Sequence, residues 1–87
     1  MKVYVLTHNY DTPRTIGSEV IGVYKDIDDA RFAMNSDAAE IRKEYAHVPL
    51  DDYLNWSKEN QIHFGFYGNS YDVNASYDWE IETVELQ

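Results

Sequence analysis

Apolar residues between positions 27 and 48 recur at helical spacing, and this stripe limits the possible folds more than any other feature. They stand at 27, 30, 34, 38, 41, 45 and 48, at steps of three or four residues. Such steps place all of them on one face of an α-helix. Asp26 precedes the stripe as a capping residue, and Pro49 ends it. We therefore expect one long helix over 26–47, with a break at Asn35–Ser36 as the alternative.

Segments with strand character lie on both sides of this helix. Lys2–His8 is rich in β-branched and aromatic residues, and the apolar side chains on both of its faces predict a central strand. Glu19–Tyr24 predicts its hairpin partner across a loop at 9–17. After the helix, Gln61–Tyr67 and Tyr77–Leu86 predict two more strands.

Two finer features are predicted from spacing alone. A short second helix, ending near Lys58, is predicted from the helical spacing of Leu50, Tyr53, Leu54 and Ser57. In the last strand the apolar residues skip from Ile81 to Val84, which a regular strand would place on opposite faces. We therefore expect a β-bulge near Glu82–Thr83 that turns both side chains toward the core.

The element order β-β-α-α-β-β predicts a single α+β domain over residues 1–87. Its four-stranded, mainly antiparallel sheet would carry one long and one short helix on one face. A chain of 87 residues leaves no room for a second domain. The apolar fraction of 44% is sufficient for a core that needs no covalent staples.

The start of the chain resembles a group of short uncharacterised bacterial and phage proteins. The resemblance is carried by the strand Lys2–His8, by Val20–Tyr24 and by the helix opening Asp28–Ala30. Those proteins begin with a similar strand, an IGVY-like second strand and an Ala-containing helix, and they close with an acidic strand like Trp79–Leu86. The resemblance implies the β-β-α start and no assigned chemistry.

Charge and composition exclude several classes of function. Seven basic residues against sixteen acidic ones give a formal net charge of −9, which disfavours direct binding to nucleic acid or to an anionic membrane. The absence of cysteine excludes a disulfide scaffold, a thiolate zinc site and a cysteine nucleophile. No apolar run approaches the roughly 20 residues that span a bilayer, and we expect a soluble cytoplasmic protein.

Acidic residues are the strongest functional signal. One set shares a flank of the long helix on a helical wheel: Asp29, Asp37, Glu40 and Glu44. Another set shares one face of the last strand, at intervals of about 6.8 Å: Asp78, Glu80 and Glu82. Rigid carboxylates at such intervals can imitate a phosphate backbone and occupy the basic groove of a nucleic-acid-binding protein. The alternative is that both sets are the solvated surface of an acidic protein.

Aromatic residues are the second signal, because eight tyrosines, three phenylalanines and two tryptophans exceed what one small core needs. Phe32 lies about 140° around the helix from Ile27, well off the stripe. An exposed phenylalanine beside acids is typical of an interface anchor. Packing of Phe32 against the 9–17 loop or against a second helix is an equal alternative.

The sequence contains no convincing catalytic or metal-binding constellation. The histidines stand at positions 8, 47 and 63 without metal-ligand spacing, and we interpret His63 as a structural residue. Asp72–Asp78 alternates oxygen ligands as a calcium loop does, but Tyr77 occupies the position where such a loop needs glycine. We therefore expect neither a metal nor a cofactor.

These features together predict a small non-enzymatic protein that binds a basic protein partner. The most concrete form is an acidic inhibitor of the kind that phages use against host nucleases or other nucleic-acid-binding defence proteins. The first alternative is a self-associating module, for example a homodimer, with Phe32 and exposed strand aromatics at the interface. The second alternative is a small enzyme that depends on carboxylates or on a metal.

Overall fold

The fold comes from a computed structural model, which describes residues 1–12, 14–45, 56–66 and 75–87. These ranges form six elements: β1 (Lys2–Asp11), β2 (Ile16–Tyr24), α1 (Ile27–Glu44), β3 (Trp56–Lys58), β4 (Gln61–Phe66) and β5 (Ala75–Glu85). The strands pair antiparallel in one sheet, in the order β2-β1-β5-β4-β3. The α+β class is therefore confirmed, but the sheet has five strands where four were predicted.

Helix α1 begins after Asp26, whose carboxylate accepts a hydrogen bond from the Asp28 backbone N–H at 2.8 Å. The helix runs through Asn35–Ser36 without a break, so the prediction of one long helix is confirmed up to Glu44. The centre of its stripe is buried against the sheet, at Ala30, Met34 and Ala38. No helix in the described ranges has the length and apolar character needed to cross a membrane.

Strand β1 lies between β2 and β5, as its two apolar faces predict. The helix covers one face of the sheet, and the core forms between them. The largest fully buried side chains of this core are those of Leu6, Met34, Phe64 and Trp79. In the described ranges no element covers the other face, which we call the open face.

The predicted bulge in the last strand is wrong. Strand β5 pairs with β1 in one regular register along its length, with no shift at Glu82–Thr83. Val84 therefore lies on the open face, opposite to the core-facing Ile81, and directly across from Val3. The cross-strand valine pair gives Val84 an apolar neighbour on the open face, so no bulge is needed to place it.

A register shift occurs in β2 instead. Leu6 pairs with Gly22 and Thr7 pairs with Val20, which leaves Ile21 as the extra residue of the bulged strand. Ile21 is partly buried and packs against the core cluster. The bulge therefore adds an apolar residue to the helix side of the sheet without extending the strand pairing.

The predicted second helix is wrong in its last residues, whereas residues 50–55 lie outside the described ranges. Trp56–Lys58 forms β3, which pairs with β4 across the two-residue turn Glu59–Asn60. The Asn60 side chain accepts a hydrogen bond from Arg31 Nε at 3.0 Å, which ties this hairpin to α1. Strand pairing and this contact with the helix are both non-local, so apolar spacing along the segment could not predict them.

Strands β1 and β2 extend further than predicted, into the 9–17 segment. Strand β1 continues to Asp11, and β2 begins at Ile16. The backbone N–H of Thr12 donates to the Thr15 carbonyl at 2.8 Å, and the Thr15 N–H donates to Thr12 Oγ1 at 3.2 Å. Backbone pairing thus prevails over the turn-forming composition of this segment, and it brings Tyr10 into the sheet.

Candidate partner-binding surfaces

The acids of β5 form a column on the open face. Asp78, Glu80 and Glu82 alternate along the strand with Trp79 and Ile81, whose side chains are buried on the helix side. Because successive side chains of a strand point to opposite faces, the three carboxylates point away from the helix at intervals of about 6.8 Å. The structure thus brings together the three strand acids singled out in the sequence, and we call them the acid column.

Asp78 is the member of the acid column that has partners. His63 lies opposite Asp78 on β4, and its Nδ1 is 2.6 Å from Asp78 Oδ1. On the helix side, His8 Nδ1 donates to the Asp78 backbone carbonyl at 3.0 Å. Glu80 and Glu82 are exposed and form neither a hydrogen bond nor an ion pair with the described residues. Among the described residues, most of the charge of the column therefore has no counter-charge in contact with it.

Exposed aliphatic side chains lie beside the acid column. Ile16, Val20 and Val23 of β2 are 77%, 62% and 61% exposed, and we call them the β2 patch. Strand β1 separates β2 from β5, so the patch stands about 10 Å from the column at normal strand spacing. One cross-strand row consists of Val23, Val5 and Glu82. The open face therefore combines an exposed apolar patch and a column of carboxylates on strands that β1 alone separates.

The sequence pattern does not predict the β2 patch. Val20 and Val23 are three residues apart, a spacing that a regular strand divides between its two faces. The bulge at Ile21 turns both side chains to the open face. The available signal was the even spacing of Ile16 and Val20, which a strand starting at 16 places on the same face.

The helix acids have separate surroundings. Asp37 is half-buried, and its Oδ2 accepts a hydrogen bond from Trp79 Nε1 at 2.6 Å. Glu40 forms an ion pair with Lys43 at 3.2 Å, and Glu44 is exposed. The structure therefore does not bring Asp37, Glu40 and Glu44 together as one unpaired array of carboxylates.

Phe32 is 76% exposed on α1. This exposure excludes its packing against the described part of the 9–17 segment. Its neighbours one turn away on the helix are polar: Asp28, Asp29, Asn35 and Ser36. Phe32 is thus an isolated apolar side chain on the helix, and the sheet separates it from the β2 patch.

Aromatic side chains are concentrated between the helix and the sheet. The His8 ring stacks on Trp79 with 4.4 Å between centroids, and the hydroxyls of Tyr45 and Tyr77 are 2.7 Å apart. Burial, together with the hydrogen bond to Tyr45, raises the pKa of Tyr77 well above its ordinary value, so this phenol stays protonated. Among the strand residues whose side chains the structure describes, the exposed large hydrophobic ones are aliphatic, whereas the self-association alternative expects exposed aromatics.

Metal-ligand geometry is absent from the described ranges, where no group of three or more His, Cys, Asp or Glu side chains could hold an ion. His47 and residues 72–74 of the calcium-like segment lie outside these ranges.

Comparisons with known proteins return no relative. The chain matches no protein-family model, no curated protein and no solved structure.

Proposed function

We propose that this protein acts by binding a basic protein partner through its open face. The observation that carries the proposal is the acid column, which stands beside the β2 patch on a face that no described element covers. Exposed apolar surface with a polar rim is typical of a protein interaction site. The carboxylates favour a positively charged partner, because complementary charge steers association and suppresses wrong partners.

The composition of the open face favours a protein over nucleic acid as the partner. A net charge of −9 repels phosphates directly. The β2 patch also needs an apolar counterpart, which a phosphate backbone does not offer. A partner that presents lysine or arginine beside aliphatic or aromatic side chains matches both the acid column and the β2 patch.

In the concrete form of the proposal, the partner is a nucleic-acid-binding protein and this chain inhibits it. The carboxylate interval of about 6.8 Å is twice the rise of about 3.4 Å per nucleotide along the axis of duplex DNA. The acid column spans about 14 Å, which corresponds to about four nucleotides of one strand. It could therefore occupy part of a groove that binds phosphates, as an inhibitor of phage type would.

A triple variant tests the proposal. D78N/E80Q/E82Q removes the acid column, and D29N/E40Q/E44Q makes the same change of charge on the helix. We expect basic partners to be captured from bacterial lysate by the wild type and by the helix variant, and at least tenfold less by the column variant. Because the contacts are ionic, capture should fall steeply between 50 and 300 mM salt, and duplex DNA should compete.

Two outcomes contradict the proposal. One is capture of the same partners by the wild type and the column variant in equal amounts. The other is a captured set that neither salt nor duplex DNA releases, because a mimic of phosphates must compete with phosphates.

A second candidate function, self-association, is favoured by the position of β2. This nine-residue strand forms one edge of the described sheet, and its exposed side chains are the β2 patch. A long edge strand with apolar side chains is a template for pairing with another chain. Stacking of two open faces would bring the acid columns together, so edge-to-edge pairing of two β2 strands is the arrangement that fits this candidate.

A further inference from the structure

A cleft of about 390 Å³ opens on the helix side of the sheet, between α1 and the ends of β1 and β2. Its volume is in the range of small-molecule sites. The sheet contributes His8 and Glu19, which stand directly opposite each other, and Tyr10, which lies two residues further along β1 on the same face. The helix contributes Asp37 and Ile41 to the opposite wall, and its C-cap residue Tyr45 extends that wall.

His8 is the buried polar side chain of this cleft, with 4% of its surface exposed. Its Nδ1 donates to the Asp78 carbonyl, and stacking on Trp79 and Tyr77 holds the ring in place. In the neutral ring, Nε2 is then an acceptor. None of the described residues donates to Nε2. Since a buried acceptor without a partner costs free energy, this atom marks a position for a donor from a ligand.

Two carboxylates line the same cleft. Glu19 makes no hydrogen bond or ion pair with the described residues. Asp37 binds Trp79 Nε1 through Oδ2, and its Oδ1 retains its capacity to accept. Together with His8 Nε2, the cleft thus presents three acceptor groups, two of which are anionic. Such a set selects a positively charged group with several N–H donors.

Tyrosine rings supply the remaining wall. The Tyr10 ring lies over Gly17. A Cβ added at Gly17 would come within 2.6 Å of the Tyr10 hydroxyl, so the glycine leaves room for this ring. The joined hydroxyls of Tyr45 and Tyr77 hold two further rings at the cleft. Aromatic faces attract planar cations. An amidinium or a guanidinium therefore satisfies both the acceptors and the rings.

Arg14, at the rim of the cleft, favours the opposite kind of ligand, an anion. Its exposed guanidinium forms no ion pair with the described residues and could receive an anion. Two carboxylates outnumber this one cation, and the net charge of −9 adds to the attraction for positive ligands. The local charge balance thus favours a cation.

We infer that the cleft binds a planar amidinium or guanidinium group, which donates to His8 Nε2 and to the carboxylates of Glu19 and Asp37. The inference is independent of the partner proposal, because the cleft and the open face lie on opposite sides of the sheet. An arginine side chain of another protein carries the same chemistry as a free small molecule, so the experiment separates these two sources.

Titration of the ¹⁵N-labelled protein with three ligands of one shape tests the charge of the site. Benzamidine, benzamide and benzoate share a ring and differ in charge. We expect benzamidine to shift the backbone resonances of His8, Tyr10 and Glu19, and benzamide to bind at least tenfold more weakly. Equal binding of benzamide, or tighter binding of benzoate, overturns the inference.

Variants locate the binding. Glu19→Gln should weaken benzamidine binding at least fivefold, whereas Glu82→Gln, the same change on the open face, should leave it unaltered. Arg14→Gln should strengthen binding, because it removes the opposing charge. Weaker binding by Arg14→Gln, or equal loss in the Glu19 and Glu82 variants, overturns the inference. Circular dichroism checks that each variant is folded.

N-acetyl-arginine amide separates the two sources of the cation. Tighter binding than benzamidine assigns the cleft to an arginine side chain of a protein, and weaker binding assigns it to a free small molecule. Either result supports the inference that the cleft binds a planar cation. Failure of both compounds to bind overturns this inference.

Discussion

At the scale of single residues, Asp78 connects the two sides of the sheet through two different groups. Its backbone carbonyl accepts a hydrogen bond from His8 on the helix side, and its carboxylate contacts His63 on the open face. The sequence contains both histidines, but only the pairing of β5 with β1 and β4 shows that they share a partner. The interpretation of His63 as a structural residue agrees with this contact.

Met34 and Ile41 test where the centre of the helix stripe lies. Met34→Ala should lower the free energy of unfolding by about 2–5 kcal/mol, because a buried side chain leaves a cavity in the core. Met34 is 1% exposed, whereas Ile41 is only partly buried and lines the cleft. Ile41→Ala should therefore cost less in urea denaturation. A larger loss for Ile41→Ala would contradict the placement of the core.

At the scale of elements, β2 combines a bulge with an edge position. The bulge at Ile21 places Val20 and Val23 on the same open face, and the edge position leaves one side of the strand unpaired within the described sheet. Natural edge strands usually carry charges or prolines that prevent pairing with other chains. The residues of the β2 patch carry neither a charge nor a proline, whereas the bulge at Ile21 and the exposed carboxylate of Glu19 on the same strand oppose such pairing.

Val20→Lys tests whether β2 joins two copies of this chain. If edge pairing produces a dimer, sedimentation velocity should show the wild type as a dimer and Val20→Lys as a monomer, because a lysine on the edge opposes pairing. Thr7→Lys places the same charge in the same cross-strand row but on the central strand β1, and it should leave edge pairing intact. A monomeric wild type at 0.5 mM would exclude the self-association candidate.

At the scale of the whole molecule, the acids are unevenly distributed. Residues 59–87 contain six acids and no lysine or arginine. Four of these acids lie on β5, at the centre of the sheet. Like charges held in this way repel one another and destabilise the folded state. A use for the acid column would explain its retention, although solubility alone is also a sufficient reason.

Repulsion between the carboxylates of the acid column should lower the melting temperature of the wild type. E80Q/E82Q, which leaves the contact of Asp78 with His63 intact, should raise the melting temperature by a few degrees at low salt, since a gain of 1 kcal/mol corresponds to about 4–8 °C for a domain of this size. Added NaCl should stabilise the wild type more than the variant, because salt screens the same repulsion. Calorimetry at 20 and 300 mM NaCl measures both effects. A lower melting temperature for the variant would show that the carboxylates stabilise the fold.

Local periodicity in the sequence determined helix α1 and the shared face of the acid column. The spacing of three and four residues places Ala30, Met34 and Ala38 on one side of a helix wherever that helix packs. Period two places Asp78, Glu80 and Glu82 together in any regular strand. Both properties depend only on neighbours along the chain, so they could be predicted before the fold was known.

Only the tertiary structure decided the features that depend on which strands pair. The bulge at Ile21 and the strand at 56–58 follow from pairing with β1 and β4, which no local pattern contains. The cleft arises for the same reason, because strand pairing places Glu19 opposite His8 and helix packing brings Asp37 to Trp79. Residues far apart in sequence acquire a common site only when packing across the sheet brings them into contact.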